Sequence, residues 1–158
     1  MQSQSISTEL PIVRTWRDLE VGMNVEIPFC ITAADMDAFA ALAGDYSRIH
    51  WDEKFAKKNG FEAPVVYGAL TVARLSQLVG MHLPGDLGLA TSWQIEFKNP
   101  LYVGEQATFE AKIVHISEAT QTVKIKFSVS AITKCNRLNG AKHKFVASGS
   151  AGSKILNE

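Results

Sequence analysis

The sequence predicts an α+β fold, an antiparallel sheet set against one long buried helix. Three observations carry that expectation. The stretch Val66 to Leu83 is apolar at nearly every position, has the length of a helix, and is closed by Pro84-Gly85. Four segments downstream alternate apolar and polar residues with the two-residue period of strands; Thr122 to Ile132 is the cleanest of them. The order is segregated, one strand and helices first and a run of strands after, which differs from the strict alternation that builds a parallel sheet.

Residues 1–12 are polar and lack an apolar signal core, so they read as a tail, and residues 13–158 read as a single domain. Between Val13 and Met23 no period is evident, and Trp16, Leu19 and Val21 are expected to pack that stretch down as a loop or a single turn. Asn24 to Ile31 places Val25, Ile27 and Phe29 on one face of a strand; Pro28 has no N–H to give a ladder, which predicts an edge position. Thr32 offers an N-cap hydroxyl, with Asp35 three residues on as a capping-box partner. Met36, Phe39, Ala40 and Ala43 then recur at helical spacing up to Gly44, a natural C′ residue. Asp45 to Trp51 is too polar and aperiodic to continue the helix. Asp52 is placed to cap a short helix, Glu53 to Lys58, which stops at Asn59-Gly60, and the chain is extended around Pro64. The long helix is expected to be buried nearly all round. Strands are predicted at Leu89–Lys98, Ala107–Ile116, Thr122–Ile132 and Lys142–Ala151, with Asn139-Gly140 as the hairpin turn before the last.

Composition limits the functions open to such a chain. At 158 residues it is one domain that buries roughly 70% of its unfolded surface. Lys+Arg and Asp+Glu balance at 16 each, which argues against nucleic acid or an anionic membrane as a partner, since both select basic surfaces. The same neutrality leaves little charge to keep copies apart and suits an oligomer. Cys30 and Cys135 form no CxxC and fit a reducing compartment, so a cytoplasmic location is expected. The apolar run is interrupted by Arg74, Gln77 and His82 and should not span a membrane. His82, His115 and His143 are scattered without ligand spacing, so no metal site is expected. No GxGxxG, GxxxxGK[ST] or GxSxG occurs, so neither a nucleotide cofactor nor a serine-hydrolase elbow has support. Lys54, Lys57, Lys58, Arg48 and Arg74 could meet a phosphate, but a short cationic helix is ordinarily a solvated face.

The chemistry-bearing residues gather between Ala38 and Gly80. Asp45 and His50 lie five residues apart in a polar loop, and Tyr67-Gly68 opens the long helix. A carboxylate, an imidazole and a glycine amide at a helix start can together hold a water and an oxygen of a substrate. The same residues have structural readings: Asp45 as a loop cap, His50 as a packed polar residue, Gly68 as a close-packing glycine. Ser47 and Tyr67 are secondary candidates, for orienting the pair or for lining a pocket. Asp52 is better read as a helix cap.

The segment from Phe39 to Asp52, FAALAGDYSRIHWD, together with Ala56 and the later Pro64-Val-Val-Tyr-Gly68, resembles the MaoC-like (R)-specific enoyl-CoA hydratases. In that family a G-D-x-N-P-[LI]-H-x-D motif is followed by a His-Gly pair that begins the central helix. Residue by residue, the resemblance puts Asp45 and His50 on the catalytic dyad. It puts Gly68 on the residue whose backbone N–H binds the thioester carbonyl. It implies a hot-dog fold, in which the sheet wraps the long helix, and a homodimer or a higher oligomer. The implied activity is hydration or dehydration at C2–C3 of an acyl thioester, of the trans-2-enoyl-CoA to (R)-3-hydroxyacyl-CoA type, on CoA or an acyl carrier protein and without a cofactor. Two positions depart from the motif: Ser47-Arg48 stands for Asn-Pro, and Tyr67 for His. The competing functions are a hot-dog thioesterase and a non-catalytic acyl-thioester-binding subunit.

Overall fold

Local signals set the helices. The structure is a computed structural model that describes residues 9–133 and 142–157; Cys135 and the expected Asn139-Gly140 turn lie outside them. Helix α1 (Ala33–Ala43) starts at Thr32. The Thr32 hydroxyl accepts from the Asp35 amide at 3.2 Å, and the Asp35 carboxylate accepts from the Thr32 amide at 2.8 Å. These two bonds satisfy two of the donors a helix start leaves orphaned. The helix ends on Gly44, whose φ of 68° is left-handed. Helix α2 (Glu53–Lys58) is capped by Asp52, which accepts from the Phe55 amide at 2.9 Å. Helix α3 (Gly68–Gln77) runs on into a wider π-helical turn at Leu78–His82.

Five strands form one antiparallel sheet: β1 (Asn24–Cys30), β2 (Gly88–Phe97), β3 (Gln106–Ser117), β4 (Thr122–Thr133) and β5 (Lys142–Ile155). Their spatial order is β1-β3-β4-β5-β2. Among the described residues β1 pairs only with β3, so Pro28 sits on an edge, as its missing N–H requires. β5 lies between β4 and β2 and continues to Ile155, four residues past the end the sequence suggests. Ala147 to Ser153 is all Ala, Ser and Gly, which carry little strand pattern; pairing on both sides holds it extended. The α+β, hot-dog architecture is present, with α3 packed on one face of the sheet.

One expectation is corrected. α3 is buried on a single face, through Thr71 and Leu75, continued by Leu78 and Val79 in the π-helical turn. Ala69, Ala73, Ser76 and Gln77 are exposed. Much of the apparent all-round apolarity came from the small residues Ala69, Ala73 and Gly80, which bury or expose little either way. The buried face joins Ile27, Phe29, Phe109, Ile113, Ile125 and Val129 of the sheet in one core. β2 also departs from the half-buried strand its alternation suggests. Leu89, Trp93 and Phe97 are 52%, 37% and 50% exposed, Ser92, Gln94 and Glu96 are exposed too, and Ala90 and Ile95 are half-buried against the core.

Two clamps fix the elements that carry the site. The first is an N-terminal strap over the end of the α3 region. The Ile12 amide donates to Met81 O at 2.9 Å, Ile12 O accepts from the Asp86 amide at 3.0 Å, and Arg14 donates to the carbonyls of His82 and Pro84. Gly85 is required there: its φ is 107°, and a Cβ would lie 2.0 Å from Ile12 O. The second is a nearly buried ion pair. Lys144 Nζ, on β5, donates to both carboxylate oxygens of Glu105 at 3.0 and 2.8 Å and sits 4.7 Å from the Tyr102 ring centre. Glu105 also accepts from the Tyr102 amide at 2.9 Å. Glu105→Gln leaves the ammonium without its counter-charge and is expected to cost about 2 kcal/mol. A thermal melt should show this as a drop of roughly 4–8 °C; an unchanged midpoint would remove the clamp from the account.

Candidate active site

The site begins at a backbone junction. The chain enters α3 with the amides of Val65 and Val66 bonded to two different neighbours. The Val65 amide donates to Ile49 O at 3.0 Å, and the Val66 amide donates to Leu101 O at 2.9 Å. This stitches the turn Arg48–His50, the start of α3 and the loop after Asn99 into one unit. Into it His50 delivers its imidazole: Nδ1 lies 2.7 Å from Val65 O. A carbonyl only accepts, so Nδ1 carries the proton, and in the neutral ring Nε2 keeps a free lone pair.

The loop bearing Asp45 and His50 is held by two further bonds to consecutive carbonyls. The Tyr67 hydroxyl donates to Asp45 O at 2.7 Å, and Trp51 Nε1 donates to Tyr46 O at 2.9 Å. The Tyr67 ring stacks on His50, with centroids 3.9 Å apart, and lies 4.8 Å from Phe39 of α1. Tyr67 is 4% exposed. Burial, and then the Asp45 charge, push its hydroxyl above the ordinary tyrosine range, so it stays protonated and donating.

Asp45 is half-buried. Its Oδ1 accepts from the Ser47 hydroxyl and, at 3.0 Å, from the Ser47 amide. These two bonds, reinforced by the nearby His50, hold the carboxyl below the usual aspartate range. Ser47 has thus taken the Asn-Pro position as a local donor to Asp45. Arg48 is turned outward to Asp52 at 2.7 Å, its guanidinium 4.5 Å from the Phe55 ring centre.

His50 and Gly68 line a common cavity of about 340 Å³. Its deep wall is Val66, Thr71, Leu101 and Val146, each 4% exposed or less; its rim includes Phe61, Phe97, Lys98, Asn99 and Pro100. Gly68 is the first residue of α3, where an amide has no intrahelical partner, and among the described residues it donates to none outside the helix. The Phe97 ring lies directly over it: a Cβ on Gly68 would come within 2.9 Å of that ring.

The sequence-predicted residues therefore fall into two groups. His50 and Gly68 face the cavity together. Asp45, Ser47 and Tyr67 stand behind His50 and do not line it. Val65, Thr71 and Phe97 escaped the sequence reading. Val65 acts through its backbone, which no side-chain pattern reports; Thr71 and Phe97 look like ordinary helix and strand residues. No group of three His, Cys, Asp or Glu among the described residues could hold a metal ion, and no described helix is long and apolar enough to cross a membrane.

Comparison with known proteins gives consistent results. The MaoC like domain matches residues 17–135. The (R)-specific enoyl-CoA hydratase of Aeromonas caviae is 35% identical over 113 residues, 69% of this chain and 84% of that protein. A mitochondrial 3-hydroxyacyl-[acyl-carrier-protein] dehydratase of Arabidopsis thaliana is 26% identical over 120 residues, 76% of this chain and 71% of that protein. A solved structure of the A. caviae (R)-hydratase superposes with a TM-score of 0.75 at 29% identity, covering 88% of this chain and 98% of that one.

Proposed function

The chain belongs to the MaoC-like domain family, and from that premise we propose that it is a hydratase/dehydratase acting at C2–C3 of an acyl thioester. Among its relatives are one named for a CoA thioester and one for a carrier-protein thioester. The acyl thioester is what those two names share. The observation that carries the proposal is the cavity that His50 and Gly68 line together, an imidazole with a free lone pair and a helix-start amide that has no partner among the described residues.

In the hydration direction, the His50 lone pair accepts one hydrogen of a water in the cavity, while the Asp45 carboxylate, behind the ring, favours the imidazolium that forms. As the water oxygen bonds to C3, His50 Nε2 takes its proton. The π electrons of the alkene move to C2 and onto the thioester oxygen, where the Gly68 N–H and the α3 dipole stabilise the negative charge. The imidazolium then returns a proton to C2, and the 3-hydroxyacyl thioester leaves. Dehydration is the same path reversed. Tyr67 acts one step back, fixing Asp45 through its carbonyl and His50 through its ring. Tyr67→Phe keeps the stack and loses the bond, so kcat should fall about fivefold with KM little changed. A raised KM with kcat unchanged would assign Tyr67 to substrate binding instead.

The quaternary proposal is a homodimer. β2 supports it, as the edge strand of the described sheet with Trp93 and Phe97 exposed. Loss of enoyl absorbance across trans-2-enoyl-CoA chain lengths, with the chirality of the product determined, tests the activity. Thiol release without loss of the alkene would favour thioester hydrolysis. Binding without either change would leave a non-catalytic acyl-thioester protein.

A further inference from the structure

Resting on the acyl-thioester reading, we infer that Thr71 makes the acyl cavity selective for a chain carrying an oxygen beyond C3. Thr71 is 2% exposed and is the one polar side chain in the deep wall formed with Val66, Leu101 and Val146. Among the described residues no sealed side-chain oxygen or nitrogen is left without a partner. The Thr71 hydroxyl bonds to no described residue, so its polar atom faces the cavity. It lies one helical turn after Gly68, and residues three apart on a helix are about 5–6 Å apart on the same face.

With the thioester oxygen at the Gly68 amide, the hydroxyl meets the acyl chain a few bonds further along. An aliphatic chain filling the wall strips water from the hydroxyl and offers nothing in return. A chain with a hydroxyl or keto oxygen there restores the bond. A pocket built to bond such a group discriminates against the analogue that lacks it.

The test compares trans-2-hexenoyl-CoA with 5-hydroxy-trans-2-hexenoyl-CoA in the wild type, Thr71→Val and Thr71→Ser. Valine keeps the branched shape and removes the oxygen; serine keeps the oxygen. The wild type and Thr71→Ser should favour the hydroxylated substrate in kcat/KM. In Thr71→Val that preference should shift by about tenfold toward the plain chain. The same preference in wild type and Thr71→Val, or a plain-chain preference in both wild type and Thr71→Ser, overturns the assignment. If Thr71→Val does not fold, Thr71→Ser against the wild type still decides by the second criterion. Wild-type hydration of trans-2-butenoyl-CoA is the separate control: without it the hydratase reading itself fails, whereas its presence confines a negative result to Thr71.

Discussion

His50→Ala should lower kcat for hydration of a trans-2-enoyl thioester by roughly 10²–10⁴, the usual range for losing a positioned proton-transfer group. The fold should persist, because His50 is only partly buried and, among the described residues, its side chain makes one hydrogen bond, to Val65 O. Asp45→Asn should be comparably inactive. It retains an oxygen for the Ser47 donors but loses the negative charge that stands behind His50 and favours its protonated form. Because hydrogen bonds from Ser47 hold the Asp45 carboxyl below its ordinary value of 3.8, any acid limb it contributes to the pH–rate profile falls below that pH. Steady-state rates with circular dichroism of each variant check this. Substantial turnover by either would end the assignment of that residue.

The second large effect concerns a backbone amide, which side-chain deletion cannot reach. Gly68 occupies the first position of α3, where proline is well tolerated because that N–H has no helical partner. The preceding residue already has the extended backbone a following proline demands, with Tyr67 at φ −56° and ψ 125°. Gly68→Pro and Gly68→Ala both place a Cβ against the half-exposed Phe97 ring, which must move aside. Only proline removes the N–H. The ratio of the two rates therefore isolates the amide. Alanine should exceed proline by roughly 10²–10³ in kcat, the cost of an oxyanion donor. Equal rates would mean that the amide does not meet developing charge.

Legibility in the sequence followed the range of the interactions. The caps at Thr32 and Asp52 and the left-handed stop at Gly44 involve residues within four positions of each other, and their chemistry is visible in the letters. So is Pro28, whose missing donor dictates an edge whatever the neighbours are. The placement of β2 beside β5 is set by pairing across a long intervening chain, and nothing in either segment announces it. The site divides in the same way. Asp45, His50 and Gly68 stand out as residue types at a suggestive spacing. The tautomer of His50 depends on the carbonyl of Val65, a group every residue possesses. The position of Thr71 in the deep wall emerges only once α3 has chosen which face to bury.

The strand order has a consequence for how the chain is born. β2 leaves the ribosome before β3 and β4, yet among the described residues its only partner in the sheet is β5. Until β5 has been translated, β2 waits with Leu89, Trp93 and Phe97 on a strand that has nothing to pair with. Such a nascent intermediate is open to sticking to other chains, and closing it requires a contact between distant segments, the slow kind. Completion of the barrel-like wrap is thus a late event of synthesis, and a stall between β4 and β5 would leave the ribosome holding an adhesive edge.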